Sequence, residues 1–216
     1  MQKPGSGARE AVTRTVGSKR KQNETRIMAA AERVFAERGF DAATTAAIAR
    51  RAGLPKANLH YYFRTKEALY CRVLDEILTL WLATADPIRP EADPKRALAR
   101  YVADKIAYSK RRPHASKVFA NEILHGAPHL STRLAGDLRR WLDSKCAVLQ
   151  GWIAAGRMAP LDPRHLFFVI WAATQTYADF DAQIAALQGR KCLNAGDFRA
   201  AGDLVTRMVL KICGLA

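Results

Sequence analysis

Residues 44–63, TTAAIARRAGLPKANLHYYF, contain the pattern that decides the fold of this chain. Thr44 or Thr45 suits a helix N-cap, and Gly53 marks the end of a first short helix because glycine readily adopts the left-handed conformation. Pro55 then suits the opening turn of a second helix. Two short helices joined by a tight glycine-containing turn indicate a helix-turn-helix, whose second helix lies in the DNA major groove.

The motif has an apolar side, where its two helices cross, and a polar side on the second helix. Ala49, Gly53 and Leu59 are small or apolar, and we expect them where the two helices cross. On the polar side, asparagine can pair with adenine, and lysine can bind a phosphate or guanine. A surface helical hairpin has the same two-helix pattern, so these helices alone leave that alternative open. The residues expected to face outward are Lys56, Ala57, Asn58, His60 and Tyr61.

A longer segment carries a family resemblance. Residues 32–70, ERVFAERGFDAATTAAIARRAGLPKANLHYYFRTKEALY, resemble the N-terminal domain of TetR-type transcriptional regulators across nearly the whole domain. Pro55 and His60 depart from the serine and tyrosine that are common there in the family. The resemblance implies that Thr44 or Thr45, Tyr62 and Lys66 contact phosphates, and that Lys56, Asn58 and Tyr61 approach base edges.

Hydrophobic periodicity near 3.6 residues recurs along the chain and predicts an all-α fold. We expect an N-terminal three-helix helix-turn-helix DNA-binding domain over 24–70 and a C-terminal helical ligand-binding and dimerisation domain over 71–216. Residues 1–23 show no periodicity and are predicted to form a disordered basic arm. Helices are predicted from about Thr25 to Arg38, from Thr44 or Thr45, from Pro55, from Thr65, and at about 95–111, 114–125, 129–156, 163–187 and 197–213.

The charge balance favours a polyanionic partner. The 216 residues include 35 Lys+Arg and 20 Asp+Glu, which leaves a net charge of +15. Residues 1–26 hold seven of the basic and two of the acidic side chains, so positive charge is densest at the front. Double-stranded operator DNA is the expected partner. The arm with Lys19, Arg20 and Lys21 either enters a minor groove or is a solvated tail.

Other classes of protein fit poorly. The longest apolar runs, 77–83 and 166–173, are too short to span a bilayer, and a start without an apolar h-region predicts a cytoplasmic location. The four cysteines are too far apart for a zinc site, so no metal and no cofactor are expected. Two imidazoles lie near each other in the HGAPH segment at 125–129, but its glycine and proline break a helix there, and no catalytic residues are expected. A DNA-architectural protein without a ligand remains an alternative.

The C-terminal helices have a pattern that suits a planar ligand. Phe167, Trp171, Gln175 and Asp179 recur every four residues, so one helix face offers aromatic rings, an amide and a carboxylate. Periodicity alone equally fits a core tryptophan with a satisfied glutamine. The sensor segments within residues 27–187 also resemble those TetR-type regulators of pyrimidine use that respond to uracil and thymine.

That resemblance implies a small planar ligand, uracil or thymine, although a TetR-type regulator of another pathway with a different planar ligand is the alternative. The pocket residues that it implies are Trp81, Trp171, Gln175 and Tyr177, with Asp179, Glu122 and Lys105 as polar neighbours.

The last two predicted helices are apolar beyond a single stripe, which favours a homodimer over a monomer that buries both helices in its own core. One reading motif per chain also implies a dimer on two half-sites. We expect Val205 and Val209 to be exposed apolar positions of that interface.

Overall fold

The computed structural model describes residues 7–216, with side chains described from residue 19 onward. All regular elements in this range are helical, which confirms the predicted all-α fold. The helices are α1 (Gly7–Ala42), α2 (Thr45–Ala52), α3 (Lys56–Tyr62), α4 (Lys66–Ala83), α5 (Pro94–Arg111), α6 (Pro113–Leu124), α7 (Ser131–Arg133), α8 (Arg139–Ala154), α9 (Pro163–Asp179), α10 (Asp181–Leu187) and α11 (Ala195–Ile212).

Helix α1 begins earlier than predicted. The expected start at Thr25 is wrong, because its Oγ1 donates to the carbonyl of Lys21 at 3.0 Å, a bond inside a continuous helix. The predicted arm over 1–23 is helical from Gly7, where the sequence is free of proline and rich in helix formers. Residues 1–6 lie outside the described part of the chain. The predicted stop is confirmed, since Gly39 has φ 72° and ψ 176° and interrupts the helix.

Two long helices predicted in the C-terminal half are each divided. The predicted helix 129–156 contains a π-helical turn, Leu134–Leu138, between α7 and α8, and Gly136 lies in that turn. The predicted helix 163–187 breaks at Phe180 (φ −113°, ψ 28°). There the Asp181 carboxylate accepts a hydrogen bond from the Ala182 N–H at 2.7 Å, an alternative to the helical ladder that opens α10.

The chain divides into two compact units, one ending at Val73 and one spanning Leu74–Ala216. The first unit packs α1 to α3 and the start of α4 around fully buried Ile27, Phe35, Ile48 and Leu59. The second unit is built mainly on α5, α9 and α11. Over the described residues, no helix is long and apolar enough to cross a membrane.

The inner face of α11 differs from the prediction. Val205 and Val209 are buried in the core of the second unit, so their predicted exposure is wrong. A helix face recurs every three to four residues, and the outward apolar positions lie one residue earlier than expected. Leu204, Met208 and Ile212 are the exposed ones, with Leu204 55% and Ile212 51% exposed.

Candidate DNA-reading helix and ligand cavity

The turn between α2 and α3 is closed by the residues that the sequence marked. Thr44 caps α2, because its Oγ1 accepts a hydrogen bond from the Ala47 N–H at 3.1 Å. Gly53 ends α2 with φ 64° and ψ 37°, a conformation that disfavours a side chain. Pro55 occupies the N-cap of α3 rather than its first helical position, and it offers no side-chain cap. The two helices therefore form the predicted helix-turn-helix.

Helix α3 exposes the predicted polar side. Leu59 is fully buried and anchors the helix, whereas Tyr61 is 72% exposed. The other side chains named for the polar side of α3 are exposed to solvent and accessible to a partner. The exposed residues of α3 include Lys56, Ala57, Asn58, His60 and Tyr61.

The residues expected to contact phosphates differ in their exposure and in the hydrogen bonds they already make. Thr44 is exposed, Thr45 is half-buried, and Tyr62 is half-buried with its ring 5.3 Å from that of Tyr61. The Lys66 ammonium instead donates to the carbonyls of Phe40 at 2.7 Å and of Asp41 at 3.2 Å. Two of its three donors are thus used to tie the start of α4 to the end of α1.

Basic residues of α1 lie beside this motif, and sequence reasoning did not place them there. The Arg20 guanidinium lies 5.9 Å from the centre of the Tyr61 ring. Arg26 donates to the carbonyl of Gly53 at 3.3 Å, so α1 is joined to the turn of the motif. Both pairs join residues far apart in sequence, and no local pattern predicts them.

The second unit contains a cavity of about 270 Å³. This volume lies just below the ~300–1,000 Å³ range of pockets for drug-sized molecules, which favours a small ligand. The lining is largely aromatic and aliphatic. The lining residues are Leu78, Trp81, Leu82, Tyr101, Lys105, Phe119, Ile123, Leu134, Leu138, Trp141, Trp171 and Gln175.

Four of the seven predicted ligand residues line this cavity: Trp81, Lys105, Trp171 and Gln175. The Trp171 Nε1–H donates to the Tyr101 hydroxyl at 2.7 Å, which fixes the orientation of the indole. Burial raises the pKa of Tyr101 and keeps that phenol neutral. The Gln175 amide makes no hydrogen bond to any residue of the described part, so its donor and acceptor are available to a ligand.

Lys105 brings a charge into this apolar lining. Its side chain is 4% exposed, and its Nζ lies 4.1 Å from the centre of the Trp81 ring. Burial lowers the pKa of Lys105 to about 7, and the charge of Asp179 partly opposes this effect. The ammonium and the neutral amine are therefore close in free energy at neutral pH.

The other three predicted residues do not line the cavity. Glu122 is buried and accepts hydrogen bonds from the backbone N–H and the imidazole of His129, at 2.6 and 3.2 Å, so it anchors the turn after α6. Tyr177 packs beside Phe198, with ring centres 6.4 Å apart, because it lies two residues from the Gln175 face. Asp179 lies one turn beyond Gln175. Burial raises the pKa of its carboxyl, and the interaction with Ser116 and the charges of Lys117 and Lys105 oppose this effect.

Sequence reasoning missed Tyr101, Phe119 and Trp141 as cavity residues. The Trp141 Nε1–H donates to the carbonyl of Leu82 at 3.2 Å, and its ring lies 6.2 Å from that of Trp171. The abundance of tryptophan in the sensor segments was a usable signal, since Trp81, Trp141 and Trp171 meet here. Across the described residues, no group of three or more His, Cys, Asp or Glu side chains is arranged to hold a metal ion.

Comparison with known proteins supports both halves of this description. Residues 27–73 match the family of bacterial regulatory proteins of the tetR type, and residues 74–216 match the C-terminal region of YcdC-like proteins. The chain is 40% identical over 199 residues to the HTH-type transcriptional regulator RutR of Escherichia coli K12, covering 92% of each chain. It is 34% identical over 152 residues to the repressor NicS of Pseudomonas putida, covering 67% of this chain and 69% of NicS.

Among solved structures, the transcriptional regulator SCO4942 from Streptomyces coelicolor matches with a TM-score of 0.65 and 25% identity, covering 89% of this chain and 98% of that one. A tetR-family protein from Rhodococcus RHA1 matches with a TM-score of 0.72 and 21% identity, covering 90% and 98%, and supports the fold alone. The chain therefore belongs to the TetR family and is a RutR-like DNA-binding transcriptional regulator, not an enzyme.

Proposed function

We propose that this regulator binds palindromic operator DNA as a homodimer and acts as a repressor, and that a pyrimidine base such as uracil or thymine lowers its affinity for DNA. The observation that carries the proposal is the small aromatic cavity in which the Gln175 amide has no hydrogen-bond partner among the described residues. The likeness to RutR over 92% of the chain supports the choice of a pyrimidine.

The chemistry of the cavity suits a flat, polar ring. The indoles of Trp81, Trp141 and Trp171 offer faces on which a planar molecule stacks. Uracil alternates carbonyl and N–H groups around its edge, and one glutamine amide pairs with two neighbouring groups of that kind. A ligand with few atoms reaches micromolar affinity only when nearly every polar edge is paired, since each non-hydrogen atom supplies at most ~1.5 kcal/mol.

In the DNA complex, we place helix α3 in the major groove. Asn58, Lys56 and Tyr61 then approach base edges, with Ala57 and His60 beside them on the same exposed side. Thr44 or Thr45 and Tyr62 contact phosphates, and the remaining donor of Lys66 contributes to that contact. A ligand weakens DNA binding only if it favours a conformation that holds the two reading helices of the dimer at another spacing.

The dimer interface is proposed on the outer faces of α9 and α11. Phe168 and Val169 on α9 are exposed, as are Leu204, Met208 and Ile212 on α11. An apolar patch of this kind is unusual on a monomer and typical of a buried interface. Leu204→Glu should produce monomers in sedimentation and weaken operator binding. The control is Leu124→Glu at the 80% exposed end of α6, which should do neither.

Two measurements test the proposal as a whole. Selection from a random DNA library should enrich inverted repeats, and uracil or thymine should raise the melting temperature of the wild-type protein. Enrichment of single half-sites, together with an oligomeric state that Leu204→Glu does not change, would contradict the proposed dimer. A thermal shift from another planar amide but from neither pyrimidine would assign the cavity to a different ligand.

A further inference from the structure

Two residues that line the cavity have a hydrogen-bond donor for which the described residues offer no acceptor. The Lys105 ammonium contacts the face of the Trp81 ring and makes no hydrogen bond to the described residues. The Nε1–H of Trp81 is also buried and has no hydrogen-bond partner among them. A buried donor that stays unpaired is costly. A molecule that brings an acceptor to the Lys105 ammonium therefore gains more affinity than its size suggests.

The surrounding charges leave Lys105 undercompensated. Of the ionisable side chains described on α4, α5, α6, α9 and α11, Asp179 is the one whose charge acts on Lys105. No salt bridge joins the two groups in the described structure, and the Asp179 carboxylate also interacts with Ser116 and Lys117. Other charged groups of these helices pair away from Lys105: Glu76 with Arg112, Arg100 with Asp104, Lys117 with Asp181 and Glu122 with His129.

We propose that Lys105 determines the specificity of the cavity: it binds a ring carbonyl as an ammonium ion, and so admits dioxo rings and excludes rings with an amino group at that edge. This inference rests on the proposed pyrimidine ligand. Gln175 cannot make this distinction, because a glutamine amide turns over to present either its oxygen or its NH₂ group. An ammonium has only donors, so it repels the amino group of cytosine and holds the carbonyl of uracil at the same place.

The geometry also couples the ligand to a proton. Without ligand, burial holds the pKa of Lys105 at about 7, so most of the amine is neutral near pH 8. A carbonyl acceptor favours the ammonium and raises that pKa, so binding takes up a proton from solvent. Uptake should approach one proton near pH 8 and vanish near pH 6, where the amine is already charged. Ligand affinity should accordingly fall as the pH rises from about 7 to 8.

Calorimetry on the full-length protein tests this inference. Uracil, thymine and cytosine are titrated near pH 6 and pH 8, each in two buffers with different ionisation enthalpies, so that bound protons are counted directly. Near pH 6, where Lys105 is charged, wild-type protein should bind uracil and thymine at least about tenfold more tightly than cytosine. Lys105→Met should lose at least about tenfold in uracil affinity, all proton uptake and most of the discrimination against cytosine.

Lys110→Met is the matched control, because Lys110 lies on the same helix and is exposed. It should behave as wild type. Lys105→Gln is a second variant with an acceptor at this position, and it should gain affinity for cytosine. Uracil binding without proton uptake, or with discrimination unchanged in both Lys105 variants, would overturn the role of Lys105 and leave the proposed ligand standing. Failure of wild type to bind uracil or thymine would overturn the proposed function itself.

Discussion

The reading helix and the ligand cavity both present polar groups, yet their surroundings are opposite. On α3, Asn58 and Tyr61 are exposed, and water satisfies them when DNA is absent. Among the residues that line the cavity, Lys105 and the Nε1–H of Trp81 are buried, and the described part of the chain offers them no acceptor. An unpaired donor costs little in water and about 1–3 kcal/mol when buried. Selectivity on α3 is therefore spread over several solvated contacts, whereas in the cavity it is concentrated in a few groups.

Loss of the central aromatic ring of the cavity should have the largest effect. Trp171→Ala removes the stacking surface and the hydrogen bond to Tyr101, at a cost of about 3–5 kcal/mol for such a truncation. The melting temperature should fall, and pyrimidine binding should be lost in calorimetry. Trp171→Phe keeps a ring and removes only the hydrogen bond, so it should retain measurable binding. Equal losses in the two variants would show that the ring itself is unimportant.

Removal of the amide should have a smaller effect that is confined to the ligand. Gln175→Leu keeps the volume but leaves the buried edge of the base unpaired, at a cost of ~1–3 kcal/mol in ligand binding. Operator affinity should not change in a gel-shift titration. Gln183→Leu, at an exposed position of α10, is the control and should leave the affinities for the ligand and for the operator unchanged. A Gln175→Leu protein that responds normally to uracil would show that this amide does not bind the ligand.

On the reading helix, single substitutions should act on individual base pairs. Asn58→Ala or Tyr61→Ala should relax the preference at particular positions of the operator by ~1–3 kcal/mol if the contact is bidentate. Fluorescence anisotropy with a panel of single-base operator variants measures this preference. A uniform loss across all operators, with no position relaxed, would contradict base reading by these side chains.

The smallest effect is expected at Lys66, where the structure changes the interpretation. Lys66→Ala should lower the salt dependence of DNA binding by about one unit of slope at most, because a single phosphate contact is involved. It should also lower the melting temperature, since the ammonium joins α4 to the carbonyls of Phe40 and Asp41. Lys95→Ala at the exposed start of α5 is the charge-matched control. Unchanged stability would show that these two hydrogen bonds are unimportant.

Local signals explain why the helix-turn-helix was predictable. The cap of α2 at Thr44 and its glycine stop at Gly53 act within a few residues, so the sequence alone restricted the cap to Thr44 or Thr45 and located the stop. The same holds for Trp171 and Gln175, which lie one helical turn apart on α9. Contacts between distant parts of the chain had no such signal. Tyr101 and Trp171 are hydrogen-bonded although they lie 70 residues apart in sequence. The Glu122 carboxylate accepts a hydrogen bond from His129 only because the turn between them brings the two residues together.

The two faces of α11 show a second limit of prediction from the sequence. Val205 and Val209 have the same hydrophobic character as Leu204 and Met208, and periodicity does not say which row faces the core. Packing of α11 against α5 and α9 decides it, because Val205 and Val209 belong to the core cluster there. The break at Phe180 was equally hidden, since the residues around it have no proline or glycine.

The release of DNA on ligand binding is the most direct test of ligand control. Fluorescence anisotropy of a labelled operator bound to wild-type protein is followed during titration with uracil or thymine, alongside Gln175→Leu. Either base should release the wild-type protein from DNA in a saturable manner and leave the Gln175→Leu complex intact. Wild-type protein that binds the operator equally well at every concentration of both bases would contradict ligand control.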